Sequence, residues 1–484
     1  MLKTRDDYIN SIRELNPVIY LNGERVESAV DHPVLKPHIN AASMTYEVAN
    51  DPECEELMTA TSHITGKKIN RFTHVSQSPE DLIKKVKMIR MLAHRTGSCF
   101  QRCVGMDALN ALYTTTFDLD EEKGTPYHER CTEFLKHVQE NDLMCVGAMT
   151  DPKGDRRLSP SQQADPDMFV HIVEERPDGI VVRGAKAHQT GSVNSHEIIV
   201  MPTMALKEED KDYAVSFAVP ADTPGVVLIF GRQSNDLRRA AGCSIDVGNQ
   251  EFGVVGGEAL MVLDNVFVPW ERVFMCREYE FAGLLVERFA TYHRQNYGGC
   301  KGGVGDIIAG ASALIAEYHG TEKASHIRDK IVEMIHMVET LYGGSIACSC
   351  EAKETACGAY CPDPMLANSV KHNVTRFVYE IARLAHDIAG GAMATLPSEK
   401  DLENPETADY ITKYYSAVAD VPTEHRLRLL RLIENMTSAT VLLESMHGAG
   451  SPQSQRVMFA RQSNLDEKKE LAKRLAGIND EDAK

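Results

Sequence analysis

The apolar positions of this chain change period twice. Up to about residue 143 they recur mainly at helical spacing, as in residues 81–92, where Leu82, Val86 and Ile89 share a face. From about 144 to 276 they gather in short β-rich runs. Residues 169–173 and 179–184 form two of these, separated by Arg176-Pro177-Asp178-Gly179, a good hairpin turn. Further strands are predicted at 197–201, 214–219, 226–230 and 258–268. From about 277 to 484 helical periodicity returns in long segments, including 323–347, 368–389 and 423–444. Helices, a β-rich segment and then helices predict an α+β protein rather than a doubly wound one, divided at 1–143, 144–276 and 277–484. No internal repeat or low-complexity linker interrupts the series.

With 484 residues, 43% hydrophobic and 25% charged, the chain has the composition of a globular protein with an ample core. A formal charge of -18 argues against a nucleic-acid surface. The one basic run, Lys84-Lys85-Val86-Lys87, reads as a solvated helix face. The first residues hold no apolar run of the secretory type, and the most apolar stretch, 307–316, is too short to span a bilayer, so a cytoplasmic protein without membrane contact is expected. Twelve cysteines are too dilute for a disulfide scaffold and direct attention to metal or redox chemistry.

Two distant segments carry candidate ligands. Gly97-Ser98-Cys99-Phe100-Gln101-Arg102-Cys103 places two thiols four apart, which on a helix would share one face. Tyr292-His293-Arg294-Gln295-Asn296-Tyr297-Gly298-Gly299-Cys300-Lys301 adds an imidazole and a third thiol. Together they make a four-ligand set for an iron–sulfur cluster, with a more labile histidine corner. C-x3-C with a distant H-x6-C matches none of the common ferredoxin spacings, and spacing alone favours core thiols. A second group, Cys348, Cys350, Cys357 and Cys361, has the elements of a zinc or cluster site, but its first pair is too close for a knuckle and structural thiols are the expectation. Residues 148–156 read as a polar loop after a helix, and 184–192 as a glycine-bearing loop leaving a strand. No G-x-G-x-x-G opens a βαβ unit, so any flavin is held in another way. Residues 386–391 fall at a helix end, where free N–H groups and glycines would suit a phosphate or flavin edge.

Four segments, Met149-Thr150-Asp151-Pro152-Lys153-Gly154-Asp155-Arg156, Lys186-Ala187-His188-Gln189-Thr190-Gly191, Leu263-Asp264-Asn265-Val266-Phe267-Val268-Pro269 and Glu444-Ser445-Met446-His447-Gly448-Ala449-Gly450-Ser451-Pro452, together resemble the 4-hydroxybutyryl-CoA dehydratase family. That family is similar to a branch of the acyl-CoA dehydrogenase fold and to flavin-dependent 4-hydroxyphenylacetate hydroxylases. The likeness runs from near residue 5 to about 478. It implies an N-terminal helical domain, a middle β-barrel domain with flavin loops and a C-terminal helical bundle, assembled as a homotetramer. It also implies FAD and a 4Fe-4S cluster held by Cys99, Cys103, His293 and Cys300.

The activity implied is radical dehydration of 4-hydroxybutyryl-CoA to crotonyl-CoA, with FAD as a transient electron sink, together with vinylacetyl-CoA isomerisation. His293 is then the candidate C3 base, the alternative being a permanent ligand. Glu444 and Glu258 are candidate acid/base or orienting carboxylates, otherwise readable as salt-bridge partners, and Tyr297 and Lys301 line the same pocket. Met149, Thr150, Asp155, Arg156, His188, Thr190, Ala389 and Gly390 are the implied flavin contacts, and Arg90 and Gln101 the implied substrate contacts. Near the middle the chain departs from the family pattern: Phe252-Gly253-Val254-Val255-Gly256-Gly257-Glu258 is longer and has Gly before the Glu where the family has Gln. The competing enzyme reading is a two-component flavin hydroxylase of 4-hydroxyphenylacetate type, which needs no iron. An iron–sulfur scaffold without catalysis would leave two flavin loops without a purpose.

Overall fold

Two open sheets form where the sequence is richest in β-branched residues. In a computed structural model describing residues 2–478, the larger sheet has the order Glu24–Arg25, Val18–Leu21, Val226–Phe230, Ala259–Pro269, Gly179–Gln189, His171–Arg176. The smaller sheet runs Val273–Cys276, Val215–Pro220, Glu197–Val200, Cys145–Ala148. Met1 and residues 479–484, the end of the third segment, lie outside the described residues. The expected hairpin is present: Arg176 pairs with Gly179 and leaves Pro177 and Asp178 as its two-residue loop. The strands expected at 197–201, 214–219, 226–230 and 258–268 all form, with ends moved by no more than a residue.

Three expectations about this region are corrected. The sheets do not close into a barrel, because no ladder joins their edge strands among the described residues. The Cys145–Ala148 edge is instead packed against the helix Cys103–Lys123, so closely that a methyl group at Gly105 would run into the Cys145 carbonyl. Residues 148–156 leave this strand rather than a helix. The first segment is also not purely helical, since Val18–Leu21 joins the larger sheet parallel to Val226–Phe230, with Val18 opposite Val227.

The helices explain how the ligand segments meet. Pro79–Thr96 starts at Ser78, whose side chain accepts the Asp81 N–H, and stops at Gly97 in the left-handed conformation. Its apolar face (Leu82, Val86, Ile89) is fully buried, and so, against expectation, is Lys85 in the basic run. The 41-residue helix Tyr279–His319 crosses this one and also packs on Ser325–Cys350 and Pro364–Ala389. Gly298 and Gly299 permit that approach: a Cβ on Gly299 would lie 2.7 Å from the Val86 carbonyl, and one on Gly298 would strike Leu341 and Ser345. The helix expected over 423–444 breaks into Thr423–Met436 and Ala439–His447. Thr437 Oγ1 donates back to the Ile433 carbonyl (2.6 Å) and Ser438 takes an extended conformation that restarts the chain. Residues 307–316 lie inside the long helix, and among the described residues no helix is long and apolar enough to cross a membrane.

Candidate active site

Cys99 and Cys103 do not share a helix face. Cys99 lies in the loop after Gly97, Gln101 turns the chain at φ 70°, and Cys103 is the first residue of Cys103–Lys123. His293 and Cys300 are seven apart on the long helix and so fall on one side of it. Burial raises Cys99 and Cys103 well above the usual thiol range, and the next contributors are Cys300 for Cys99 and Cys99 for Cys103. The three thiols are thus near enough to resist one another's ionisation. No three donors of this set lie within 4.8 Å of one another, whereas a tetrahedral single ion with metal–sulfur bonds of about 2.3 Å holds its ligands about 3.8 Å apart. Spread, soft donors suit a multi-centre group better than one ion.

Sequence reasoning missed what holds the histidine. Asp107, one turn beyond Cys103 and fully buried, lies 2.7 Å from His293 Nδ1 through Oδ2. Its other oxygen accepts from Lys85 Nζ at 2.7 Å, and Asn296 Nδ2 donates to Oδ2 at 2.5 Å. A carboxylate there fixes the proton on Nδ1 and leaves Nε2 with its lone pair. C-x3-C-x3-D was the available signal for Asp107.

Beside the thiols, Lys301 Nζ pairs with Glu444 Oε2, and the Tyr297 hydroxyl donates to Glu444 Oε1 at 3.2 Å. Burial works to raise Glu444, but the charge and hydrogen bond of Lys301, then Lys371, outweigh it and hold it below the usual carboxylate range. Burial raises Glu258, with His188 opposing and Glu444 adding to the rise. Two neighbouring carboxylates pushed in opposite directions make an acid and a base available together. Thr190 Oγ1 lies 2.9 and 2.8 Å from the two Glu258 oxygens, and His188 Nε2 lies 3.5 Å from Oε2. A small cavity beside Lys301 is lined by Cys99, Cys300, Lys301, Val255, Val304 and Met436.

The two loops expected to hold flavin are firmly built. Lys186 Nζ donates to Asp151 Oδ1 (2.5 Å) and to the Met149 and Met201 carbonyls, and the Thr150 carbonyl accepts from Ala187 N–H at 2.8 Å. Asp155 is committed to Arg157 at 2.6 Å, while Arg156 is exposed. The longer glycine loop packs directly on the ligand segment, where a Cβ at Gly256 would meet Thr190, Cys99 Sγ at 3.2 Å and Gln101 at 3.4 Å. Gln101 is fully buried, its Nε2 donating to the His38 carbonyl at 2.8 Å.

Other residues are placed elsewhere. Arg90 is held by Asp306 (2.9 Å) and Glu339 (2.5 Å). Ala389 and Gly390 close the C-terminal end of Pro364–Ala389, where carbonyls rather than N–H groups are left over, and the Gly390 N–H is already bonded to His386 O. They lie about 27 Å along that helix from Lys371, the buried amine that faces Tyr297. The cysteines of the second group have separate partners: Cys348 Sγ meets the Asp363 carbonyl at 3.2 Å, Cys357 meets Thr355 Oγ1 at 3.2 Å, and Cys350 is exposed.

Comparison with known proteins identifies the family of the chain. The 4-hydroxyphenylacetate 3-hydroxylase N-terminal family model matches residues 4–275 and the C-terminal model residues 282–477. The 4-hydroxybutyryl-CoA dehydratase/vinylacetyl-CoA-Delta-isomerase of Clostridium aminobutyricum is 57% identical over 99% of this chain and 100% of its own. The structure of an oxygen-tolerant archaeal 4-hydroxybutyryl-CoA dehydratase from N. maritimus superposes with a TM-score of 0.97 at 54% identity, covering 99% of this chain and 96% of that one. The FAD-complexed oxygenase component of 4-hydroxyphenylacetate 3-monooxygenase shares the fold, with a TM-score of 0.85 at 24% identity over 99% of both chains. With near-complete coverage at more than half identity, the chain belongs to the 4-hydroxybutyryl-CoA dehydratase family.

Proposed function

We propose that the protein dehydrates 4-hydroxybutyryl-CoA to crotonyl-CoA and isomerises vinylacetyl-CoA, as a homotetramer carrying FAD and a 4Fe-4S cluster. One observation carries the reading: one buried and two half-buried thiols and an imidazole fixed by Asp107 stand next to the Glu444–Lys301–Tyr297 group. Cys99, Cys103, Cys300 and His293 would hold the cluster, and the loops at 149–156 and 186–191, with Glu258 beneath Thr190, would hold the flavin. When bound, the flavin supplies a reversible one-electron acceptor and the cluster a Lewis-acidic iron, chemistry that side chains lack.

The chain's own residues handle the protons. In the net reaction C2 and C3 each lose one hydrogen, C4 gains one, and the C4 hydroxyl leaves as water with the other. His293, with its proton held on Nδ1 by Asp107, has one free lone pair, on Nε2; that atom would be its bond to the cluster, and only once released from that bond does it take the C3 proton. Glu444 is held low by Lys301 and suits the acceptor role at C2, whereas burial raises Glu258 and so favours the donor role for it. Tyr297 and the cavity's valines orient the acyl chain and exclude water.

The test is anaerobic incubation of the iron-, sulfide- and flavin-replete protein with 4-hydroxybutyryl-CoA. Crotonyl-CoA is expected. Hydroxylation of a phenol with reduced flavin and oxygen, without dehydration, would favour the hydroxylase reading. On His293→Cys, iron should be largely retained and C2 hydrogen exchange should persist while dehydration is lost.

A further inference from the structure

Lys371 is a fully buried amine on Pro364–Ala389 that helps to hold Glu444 low, yet its hydrogen bonds go neither to the ligand set nor to a carboxylate. Its Nζ donates to the Ser445 carbonyl and lies 3.4 Å from the Met446 carbonyl, both at the C-terminal end of the helix Ala439–His447 that carries Glu444. The same Nζ stands 4.3 Å from the centroid of the Tyr297 ring, whose hydroxyl donates to Glu444. The surrounding segment is gripped from one side. Asn368, one turn before Lys371, donates to the Gln455 carbonyl at 2.8 Å, and His372 Nδ1 lies 3.1 Å from Gln455 Oε1. Arg294 on the long helix donates to the Ala449 carbonyl at 3.0 Å and to Asn368 Oδ1 at 3.0 Å. Between these holds the backbone takes positive φ at Ala449 (55°) and Gly450 (97°), a conformation that is strained for a non-glycine residue and persists only where neighbours enforce it.

We propose that Lys371 is a positioning residue: by holding the 445–446 carbonyls and the face of Tyr297 together, it sets the place of Glu444 between Lys301 and Tyr297. An amine suits the task for a physical reason. The last carbonyls of a helix carry its negative end and lack intrahelical donors, and a buried amine donates to two of them while facing an aromatic ring. Methionine would fill the same volume without either interaction. This inference rests on the proposed dehydration only for its kinetic readout.

Lys371→Met and Lys371→Gln are compared with the wild type. Hydrogen–deuterium exchange of peptides covering 444–452 should rise at least tenfold in Lys371→Met and less in Lys371→Gln, which keeps a donor, with peptides from the two sheets unchanged. Iron and flavin content should stay within a fifth of wild type. In dehydration assays, kcat should fall tenfold or more in Lys371→Met with KM changed less than threefold, and Lys371→Gln should recover part of it. Unchanged exchange at 444–452 overturns the positioning role whatever the activity. An equal loss of kcat, KM, cofactors and melting temperature in both variants overturns it in favour of a general core role. A wild-type protein that forms no crotonyl-CoA defeats the proposed function and leaves the exchange result to decide on Lys371.

Discussion

His293 Nδ1 lies 2.7 Å from Asp107 Oδ2, and the same carboxylate is anchored through Oδ1 by Lys85 Nζ, also at 2.7 Å. All three side chains are at most about a tenth exposed. The pair joins the two ligand segments: Asp107 stands one turn beyond Cys103, and His293 seven residues before Cys300.

Asp107→Asn separates orientation from mere packing. Asparagine keeps the volume but offers His293 either an amide N–H or a weaker carbonyl acceptor, and it leaves Lys85 without a buried counter-charge. Outer-shell partners of this kind are worth ten- to a hundredfold in metal affinity or activity, so crotonyl-CoA formation should fall by about that factor. Unpairing Lys85 should also lower the urea midpoint, by an amount corresponding to about 3 kcal/mol. Wild-type turnover in Asp107→Asn would show that His293 needs no such support.

How much of this was legible depended on where the information lies. The strand Val226–Phe230 was readable because five consecutive apolar, largely β-branched residues bounded by turn residues leave few alternatives. The break at Thr437–Ser438 was not, because the apolar period runs straight through it and only the local side-chain bond to Ile433 interrupts the helix. Cys99, Cys103, His293 and Cys300 could be grouped by chemistry and by resemblance. Asp107 had only its spacing from the two cysteines to mark it: Cys103–Lys123 is buried on nearly every side over its first four turns, so its polar residues have no solvent face to stand out from. Lys85 looked solvated inside a basic run for the complementary reason. What buries it is the long helix arriving from two hundred residues away, a tertiary fact that no local pattern records.

Thr190→Val removes a hydroxyl that lies 2.8 to 2.9 Å from the oxygens of Glu258. Burial already raises Glu258, and losing a hydrogen bond to the charged form raises it further. The fold should be intact and flavin still bound. The limb of the pH–rate profile belonging to Glu258 should move to higher pH, and the flavin potential should shift if the hydroxyl also reaches the ring. An unchanged pH profile, potential and rate would remove Thr190 from the site.

Gly256→Ala tests the glycine loop that departs from the family pattern. The added methyl would collide with the Thr190 methyl group and come within 3.2 Å of Cys99 Sγ and 3.4 Å of the Gln101 side chain. Overpacking of this kind costs about 1–3 kcal/mol, and here the strain falls on a proposed ligand. Iron per subunit should drop by at least half in the purified variant while far-ultraviolet circular dichroism stays the same. Full iron occupancy would mean that the loop can retreat and that its contact with Cys99 is incidental.

Acid should destabilise the protein through two buried imidazoles that are not part of the proposed ligand set. Burial lowers His196 to about 3, with Lys3 and Arg102 adding to the effect, and lowers His38 to about 3, with Arg239 adding. The tautomers follow from their partners. His196 Nδ1 accepts the Met144 N–H at 2.9 Å, so its proton is on Nε2, pointing to Ser11 Oγ at 2.9 Å. His38 donates from Nδ1 to the Val255 carbonyl at 2.9 Å, and its Nε2 is buried without a hydrogen-bond partner. Protonation would break the first arrangement and strand a charge in the second. Between the unfolded value near 6.5 and the folded value near 3, the unfolded chain binds more protons, so stability rises with pH across that window and is lost as pH falls through it. Each imidazole adds a slope of up to about 1.4 kcal/mol per pH unit. Urea midpoints measured from pH 7 to pH 4.5 should therefore fall steeply, and His196→Gln, which retains an acceptor for the Met144 N–H, should flatten the fall by close to half of the two-histidine contribution. A slope in His196→Gln equal to that of the wild type would place the acid sensitivity elsewhere, in the buried carboxylate pairs such as Arg71–Asp81.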